Sequence, residues 1–211
     1  MPVIISFDIG IKNLACCSLR TDHVFDSTTE APLTEILLWD IIHLQEKDEK
    51  KRPSIEELSL RLYAHLDEVI DGLRIRYEVE HINYVLIENQ PSRLNGTMKS
   101  IQMAIYNYFM LRRHWEGNVG SVHMIHASLK LQGHGEYAEN LRKNAPVYSK
   151  PYQVNKWLAI QLCKHYIAHD ENIRHHFECH KKGDDLADSC LQAISWARKN
   201  MIPMGAFMIY I

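Results

Sequence analysis

The 211-residue sequence predicts an α/β layered domain built on a mixed sheet. Three observations carry this. Two apolar runs, "VIISFD" (3–8) and "INYVLIE" (82–88), have the length and β-branched content of buried strands. Stretches after them repeat apolar residues at three- and four-residue intervals, the period of a helix packed on a core. Finally, "NLACCSLR" returns directly after the turn "DIGIK" as a hairpin partner, so the sheet cannot be all-parallel.

The remaining elements follow in order. A polar, threonine-rich connection leads to a third strand around "EILLWDIIHL" (35–44), and the charged "QEKDEKKRP" is a solvated loop. Pro53-Ser54 with Glu56 and Glu57 marks a helix start. Ile55, Leu58, Leu62, Leu66, Val69 and Leu73 then line one face of a long amphipathic helix. After "INYVLIE", the segment "NQPSRLNGT" breaks the chain with proline and glycine. "MKSIQMAIYNYFMLRRHW" (98–115) is an apolar helix, mainly core, with part of its surface available for a dimer contact. "SVHMIHA" is a short last strand. Residues 129–152 carry glycine, proline and lysine and are expected to form a flexible loop. A helix over 153–168, a His-rich surface loop "RHHFECHKK" and a final helix opening at "GDDLADSCLQAISWA" complete residues 1–211 as a single domain without repeats.

The composition, 46% hydrophobic, is that of a chain able to bury a core. Five cysteines without regular spacing exclude a disulfide framework and fit a reducing compartment. No apolar run is long enough to span a bilayer, and the N-terminus enters a strand at once. A soluble intracellular protein without signal or mitochondrial presequence is expected. The net charge of −2 conceals an asymmetry. Residues 1–88 hold 9 Lys/Arg against 17 Asp/Glu, a balance of −8, and residues 89–170 hold 10 against 4, a balance of +6. The basic half could face a polyanion such as nucleic acid, although a solvated surface poor in acids accounts for charge alone equally well.

Asp8 and Glu88 each end an apolar strand, and "DDLAD" supplies Asp184, Asp185 and Asp188 at the start of a helix. Residues three and four apart share a helix face, so Asp188 lines up with both Asp184 and Asp185. Clustered carboxylates repel unless a cation neutralises them, and an all-oxygen set suits Mg²⁺ or Mn²⁺. Two such ions about 4 Å apart can activate water and stabilise a leaving oxygen in phosphodiester hydrolysis. Each acid has a plainer reading, since strand-end aspartates commonly serve turns and Asp184 after Gly183 is a ready N-cap. The combination in this order favours metal chemistry.

At the segments "SFDIGIKNLACCSL", "VLIENQPSR" and "KKGDDLADSCLQAISW" the sequence resembles the RuvC-like Holliday junction resolvases, and within them the branch of fungal mitochondrial and poxvirus enzymes. The likeness spans about residues 3–197. "DIGIKNLA" by itself is shared with sugar kinases and actin-like ATPases, and the E-x-Q-P-x-R and DDxAD patterns make the set specific. The resemblance implies a ribonuclease H-like three-layer fold, with a mixed five-stranded sheet flanked by helices. It implies two Mg²⁺ ions, replaceable by Mn²⁺, held by Asp8, Glu88, Asp185 and Asp188. Asp184 is left as either a further ligand or a cap. It also implies a homodimer that cuts four-way DNA junctions in pairs during recombination, repair or replication, leaving 5′-phosphate and 3′-hydroxyl ends. No membrane or small-molecule cofactor is implied. The missing presequence departs from the fungal members and suits a large DNA virus.

Junction binding rests on phosphate contacts more than base reading. Candidates are Lys12, Arg93, Lys99, Arg142, Lys143, Lys150, Lys181 and Lys182, with Asn13 and Gln90 placed to orient DNA or the ligands. Each cation taken singly is more commonly a plain surface charge. His175, His176, Cys179 and His180, with Cys163 or His165 as possible partners, form an incomplete zinc set, and a surface loop is the preferred reading. The rivals are a non-cleaving nucleic-acid-binding module of the same fold and a ribonuclease H acting on RNA–DNA hybrids.

Overall fold

The computed structural model describes residues 1–21, 34–46, 49, 51, 53–90, 96–147, 150–181 and 183–201. Five strands, β1 (Val3–Asp8), β2 (Leu14–Thr21), β3 (Thr34–Ile42), β4 (Ile82–Glu88) and β5 (Val119–Ile125), form one sheet in the order β3-β2-β1-β4-β5. β1–β2 and β2–β3 pair antiparallel, whereas β1–β4 and β4–β5 pair parallel, so the sheet is mixed as the sequence predicts.

Six helices flank it. α1 (Ile55–Tyr77) and α2 (Gly96–Trp115) cover one face; α4 (Pro151–Tyr166), α5 (Glu171–Cys179) and α6 (Gly183–Asn200) cover the other, with α3 (Gly135–Lys143) beside α4. Burial on both faces explains the unbroken apolar runs of β1 and β4. Strand alternation sends Ile5, Phe7 and Cys16 to the α1/α2 side, and Ile4 and Cys17 to the α6 side. The adjacent cysteines thus serve two separate cores.

α1 starts at a capping box: Glu57 N–H donates to Ser54 Oγ at 3.1 Å, and Ser54 N–H donates to Glu57 Oε2 at 2.7 Å. Leu58, Leu62, Leu66, Val69 and Leu73 are buried as the periodicity predicts, while Ile55 in the first turn stays 44% exposed. The "DIGIK" turn requires its glycine, because a Cβ on Gly10 would lie 2.3 Å from the Asn13 carbonyl oxygen.

Two segments differ from the sequence-based expectation. Residues 129–152 are largely helical, taking in the end of a 3-10 turn (Ala127–Leu131), all of α3 and the start of α4. "RHHFECHKK" falls mostly within α5. Asp170 caps that helix, accepting from Asn172 N–H at 2.9 Å and Ile173 N–H at 3.0 Å. Its buried Phe177 stacks on Trp39 of β3, ring centroids 5.2 Å apart at 9°. A cap and one aromatic anchor hold a helix that shows almost no apolar stripe.

Candidate active site

In an open α/β sheet, functional groups gather beyond the carboxyl ends of the parallel strands. β1, β4 and β5 are the parallel strands here. β1 ends on Asp8, β4 on Glu88, and β5 runs into the 3-10 turn that carries Lys130. α6 packs against β1 and β2, and its buried Gln192 donates from Nε2 to the Phe7 carbonyl at 3.2 Å. That contact fixes the first turn of α6, with Asp184, Asp185 and Asp188, relative to Asp8.

Lys130 sits among these acids. Its ammonium is ion-paired with Asp188 and lies 3.9 Å from Glu88 Oε2. All three side chains are less than one-fifth exposed. Burial, then the hydrogen bond and charge of Glu88, hold the Asp8 carboxyl well above its ordinary range, with Lys130 opposing. Burial likewise raises Asp188, to about 6, Lys130 pulling down and Asp8 pushing up. Burial alone would lower the Lys130 ammonium, but Asp188, Asp8 and Glu88 outweigh it. The shifts describe a surplus of buried negative charge around one cation.

Asp184 contributes to that surplus, since its charge acts on both Asp8 and Asp188. α6 begins at Gly183, so Asp184 stands inside the first turn rather than at the N-cap, and its carboxylate is ion-paired with Lys156. Asp185 is half-buried on the same turn.

Glu88 is oriented by its neighbours. Gln90 donates from Nε2 to Glu88 Oε1 at 3.1 Å, and Gln90 N–H donates to Oε1 of Gln102 at 2.8 Å. Gln102 is buried and also accepts from Lys99 Nζ at 3.1 Å. Glu88 Oε2 is buried without a hydrogen-bond partner among the described residues. The Lys130 ammonium at 3.9 Å faces that oxygen without donating to it, and a buried carboxylate oxygen left without a donor is costly. The all-oxygen set of Asp8, Glu88, Asp184 and Asp188 has the chemistry a hard divalent cation takes, although their oxygens do not gather as a ready-made three-ligand group among the described residues.

Lys130 is itself held in place. Its carbonyl accepts from His134 Nε2–H at 2.9 Å and from Ser195 Oγ at 3.3 Å. Tyr166 O–H donates to His134 Nδ1 at 2.8 Å, and Arg198 donates to the Tyr166 oxygen at 2.9 Å. Burial lowers His134 to about 4, keeping it neutral, as this pattern of one donating and one accepting nitrogen requires. Lys130, His134 and Gln102 were absent from the sequence-based candidates. The position of Lys130 just after β5 was the one available signal.

The expected DNA contacts are spread differently. Lys12, Arg142, Lys143, Lys150 and Lys181 are exposed, and Asn13 is partly buried in the β1–β2 turn. Lys99 is bound to Asn89 and Gln102 beneath the site. Arg93 and Lys182 lie outside the described residues.

The structure is similar to the yeast mitochondrial Holliday junction resolvase Ydc2, with a TM-score of 0.57 and 19% identity, covering 92% of this chain and 78% of that one. RuvC of Thermus thermophilus matches with a TM-score of 0.55 and 14% identity, covering 94% and 97%. The fowlpox virus resolvase, in complex with substrate Holliday junction DNA, matches with a TM-score of 0.51 and 15% identity, covering 93% and 97%. An uncharacterized protein of Acanthamoeba polyphaga mimivirus is 29% identical over 151 residues, which are 68% of this chain and 34% of the viral protein. The chain thus spans about one-third of that relative. Residues 4–110 match the family model "Mitochondrial resolvase Ydc2 / RNA splicing MRS1". The chain belongs to this family and has the ribonuclease H-like fold of the Holliday junction resolvases.

Proposed function

We propose that the protein is a divalent-metal-dependent endonuclease that resolves four-way DNA junctions as a homodimer, by paired phosphodiester hydrolysis. One observation carries the reading. Carboxylates from two adjacent strand ends and from α6 converge around a single buried lysine and leave one Glu88 oxygen without a donor. Asp8, Glu88, Asp188 and Asp184 or Asp185 would hold Mg²⁺ or Mn²⁺. When bound, such ions supply Lewis-acid activation of water and neutralise charge on the leaving oxygen.

The chain's own groups do the rest. β1 and β4 hold Asp8 and Glu88 on rigid neighbouring strands, and Gln90 fixes the Glu88 rotamer. Lys130 keeps the acids together against their mutual repulsion. The exposed cations Lys12, Arg142, Lys143, Lys150 and Lys181 would bind backbone phosphates. Two symmetric cuts need two sites, which supports a dimer.

The test uses a synthetic four-way junction, a linear duplex and an RNA–DNA hybrid. Each is incubated with wild type and with Glu88→Gln, with and without Mg²⁺. Paired, ligatable nicks confined to the junction, requiring Mg²⁺ and lost in the variant while binding persists, would support the proposal. Cleavage of the hybrid would reassign the substrate. Tight binding without cleavage in Mg²⁺ or Mn²⁺ would favour a non-cleaving module.

A further inference from the structure

A second group of metal-ligating side chains lies where β3 meets α5. Asp40 on β3, His176 on α5 and His180 at its C-cap each place one donor atom within 4.8 Å of the others. His176 and His180 are four residues apart, so the helix turns them to one face, ring centroids 4.4 Å apart.

Both imidazoles are fixed by backbone carbonyls. His176 Nε2–H donates to the Trp39 carbonyl at 2.7 Å, and His180 Nδ1–H donates to the His176 carbonyl at 2.8 Å. Each bond places a proton on one ring nitrogen, so in the neutral imidazole the lone pair lies on the other. This is the support that metal-ligating histidines characteristically have. His180 Nε2 stands 3.6 Å from Asp40 Oδ1. Two ligands with bonds of about 2.0–2.2 Å in a tetrahedral shell are separated by roughly 3.4 Å. The separation already suits a shared ion.

We infer that Asp40, His176 and His180 form a binding site for a Zn²⁺-type transition-metal ion, distinct from the carboxylate site and independent of the nuclease reading. Two imidazole nitrogens and one carboxylate select zinc over magnesium. Three protein ligands leave a fourth position. Asp40 and His176 line a cavity of about 780 Å³ from which water can fill it.

The ion would join β3 to the corner between α5 and α6. That corner already rests on Trp39, whose Nε1–H donates to the Leu186 carbonyl of α6 at 3.0 Å. His180 precedes Asp184 by four residues, so the clamp would restrain the start of the helix that delivers the α6 acids. Cys179 Sγ faces His175 at 3.6 Å, forming a separate pair that lacks a third ligand among the described residues.

The experiment titrates Zn²⁺ into the full, EDTA-treated and desalted chain in competition with a chromophoric chelator. Wild type, Asp40→Asn, His180→Asn, Cys179→Ser and the double variant Asp8→Asn/Glu88→Gln are compared. One zinc equivalent is expected for wild type, Cys179→Ser and the double variant. Loss of an outer partner weakens such sites about 10–100-fold, so loss of a ligand is expected to weaken binding at least about a hundredfold. Zn²⁺ should raise the melting temperature of wild type but not of Asp40→Asn. The Asp40 side chain is 64% exposed, and its variant should melt like wild type without metal. Failure of wild type to take one equivalent would overturn the inference. So would retention by both Asp40→Asn and His180→Asn, or loss in Cys179→Ser or the double variant.

Discussion

Lys130 and Asp188 are 58 positions apart in sequence, yet their side chains form an ion pair between the 3-10 turn after β5 and the first turns of α6. The pair lies inside the acidic cluster, with Glu88 Oε2 3.9 Å from the ammonium. Lys130 therefore acts as the chain's own counter-cation. Breaking a buried ion pair by removing one partner costs about 3–5 kcal/mol. Lys130→Met should lose roughly that much stability in EDTA, and Mg²⁺ should restore most of it. Thermal melts in the two conditions test this; an equal loss in both would mean that Lys130 acts by packing.

His134 fixes the other end of the same lysine and is held neutral, its value lowered to about 4. An unfolded histidine titrates near 6.5. Between those values the unfolded chain takes up a proton that the folded chain refuses, so stability rises with pH across the window. The contribution is fully present above about 6.5 and is lost as pH falls through 4, amounting to about 3 kcal/mol. Urea denaturation at pH 7 and pH 5 should show wild type losing more stability on acidification than His134→Gln. Parallel losses would remove His134 as the cause.

Gln102 lies beneath the turn that follows Glu88. Its side chain is 1% exposed and accepts from Gln90 N–H, while Gln90 holds Glu88. Gln102→Leu leaves the partly buried Gln90 N–H without this acceptor, at a cost of about 1 kcal/mol. Junction cleavage should fall about tenfold with junction affinity unchanged, because the lost bond orients an acid rather than contacting DNA. Cleavage kinetics set beside gel-shift titration separate the two effects. An equal loss of affinity would place Gln102 in the DNA interface.

Gly10→Ala tests the turn after Asp8. The added methyl would meet the Asn13 carbonyl oxygen at 2.3 Å, and backbone cannot yield as a flexible side chain does. Destabilisation beyond about 1 kcal/mol is expected, with cleavage lost as Asp8 shifts. Chemical denaturation gives the first quantity and a junction assay the second. Wild-type stability in this variant would show that the turn relaxes freely.

The sequence carried much of the architecture because its strands are apolar on both faces and its longest helix opens on a capping box. Asp8 and Glu88 were legible as acids ending such strands. The 3-10 turn, α3 and α5 were not. Gly133, Gly135 and Pro146 read as loop, and α5 has only Phe177 fully buried. Lys130, His134 and Gln102 escaped for a common reason: each acts through partners that only the fold brings near. Lysines, histidines and glutamines also occur throughout the chain for ordinary reasons. The side of α6 that faces Asp8 depends on helix phase, and the ambiguity at "DDLAD" follows from aspartates at two phases that both reach Asp188. In the structure Asp184 lies near enough to Asp8 for its negative charge to push the Asp8 carboxyl up, behind burial and Glu88.

The carboxylate cluster draws on both ends of the chain, from Asp8 to Asp188. Contacts of such separation form late, because the chain must close a long loop before they gain anything. During synthesis the hairpin of β1 and β2, α1, β4 and α2 emerge first, bringing only Asp8 and Glu88. A nascent or truncated chain that stops before α6 therefore holds half of the proposed carboxylate set. On the proposed reading, cutting activity would arrive only with α6.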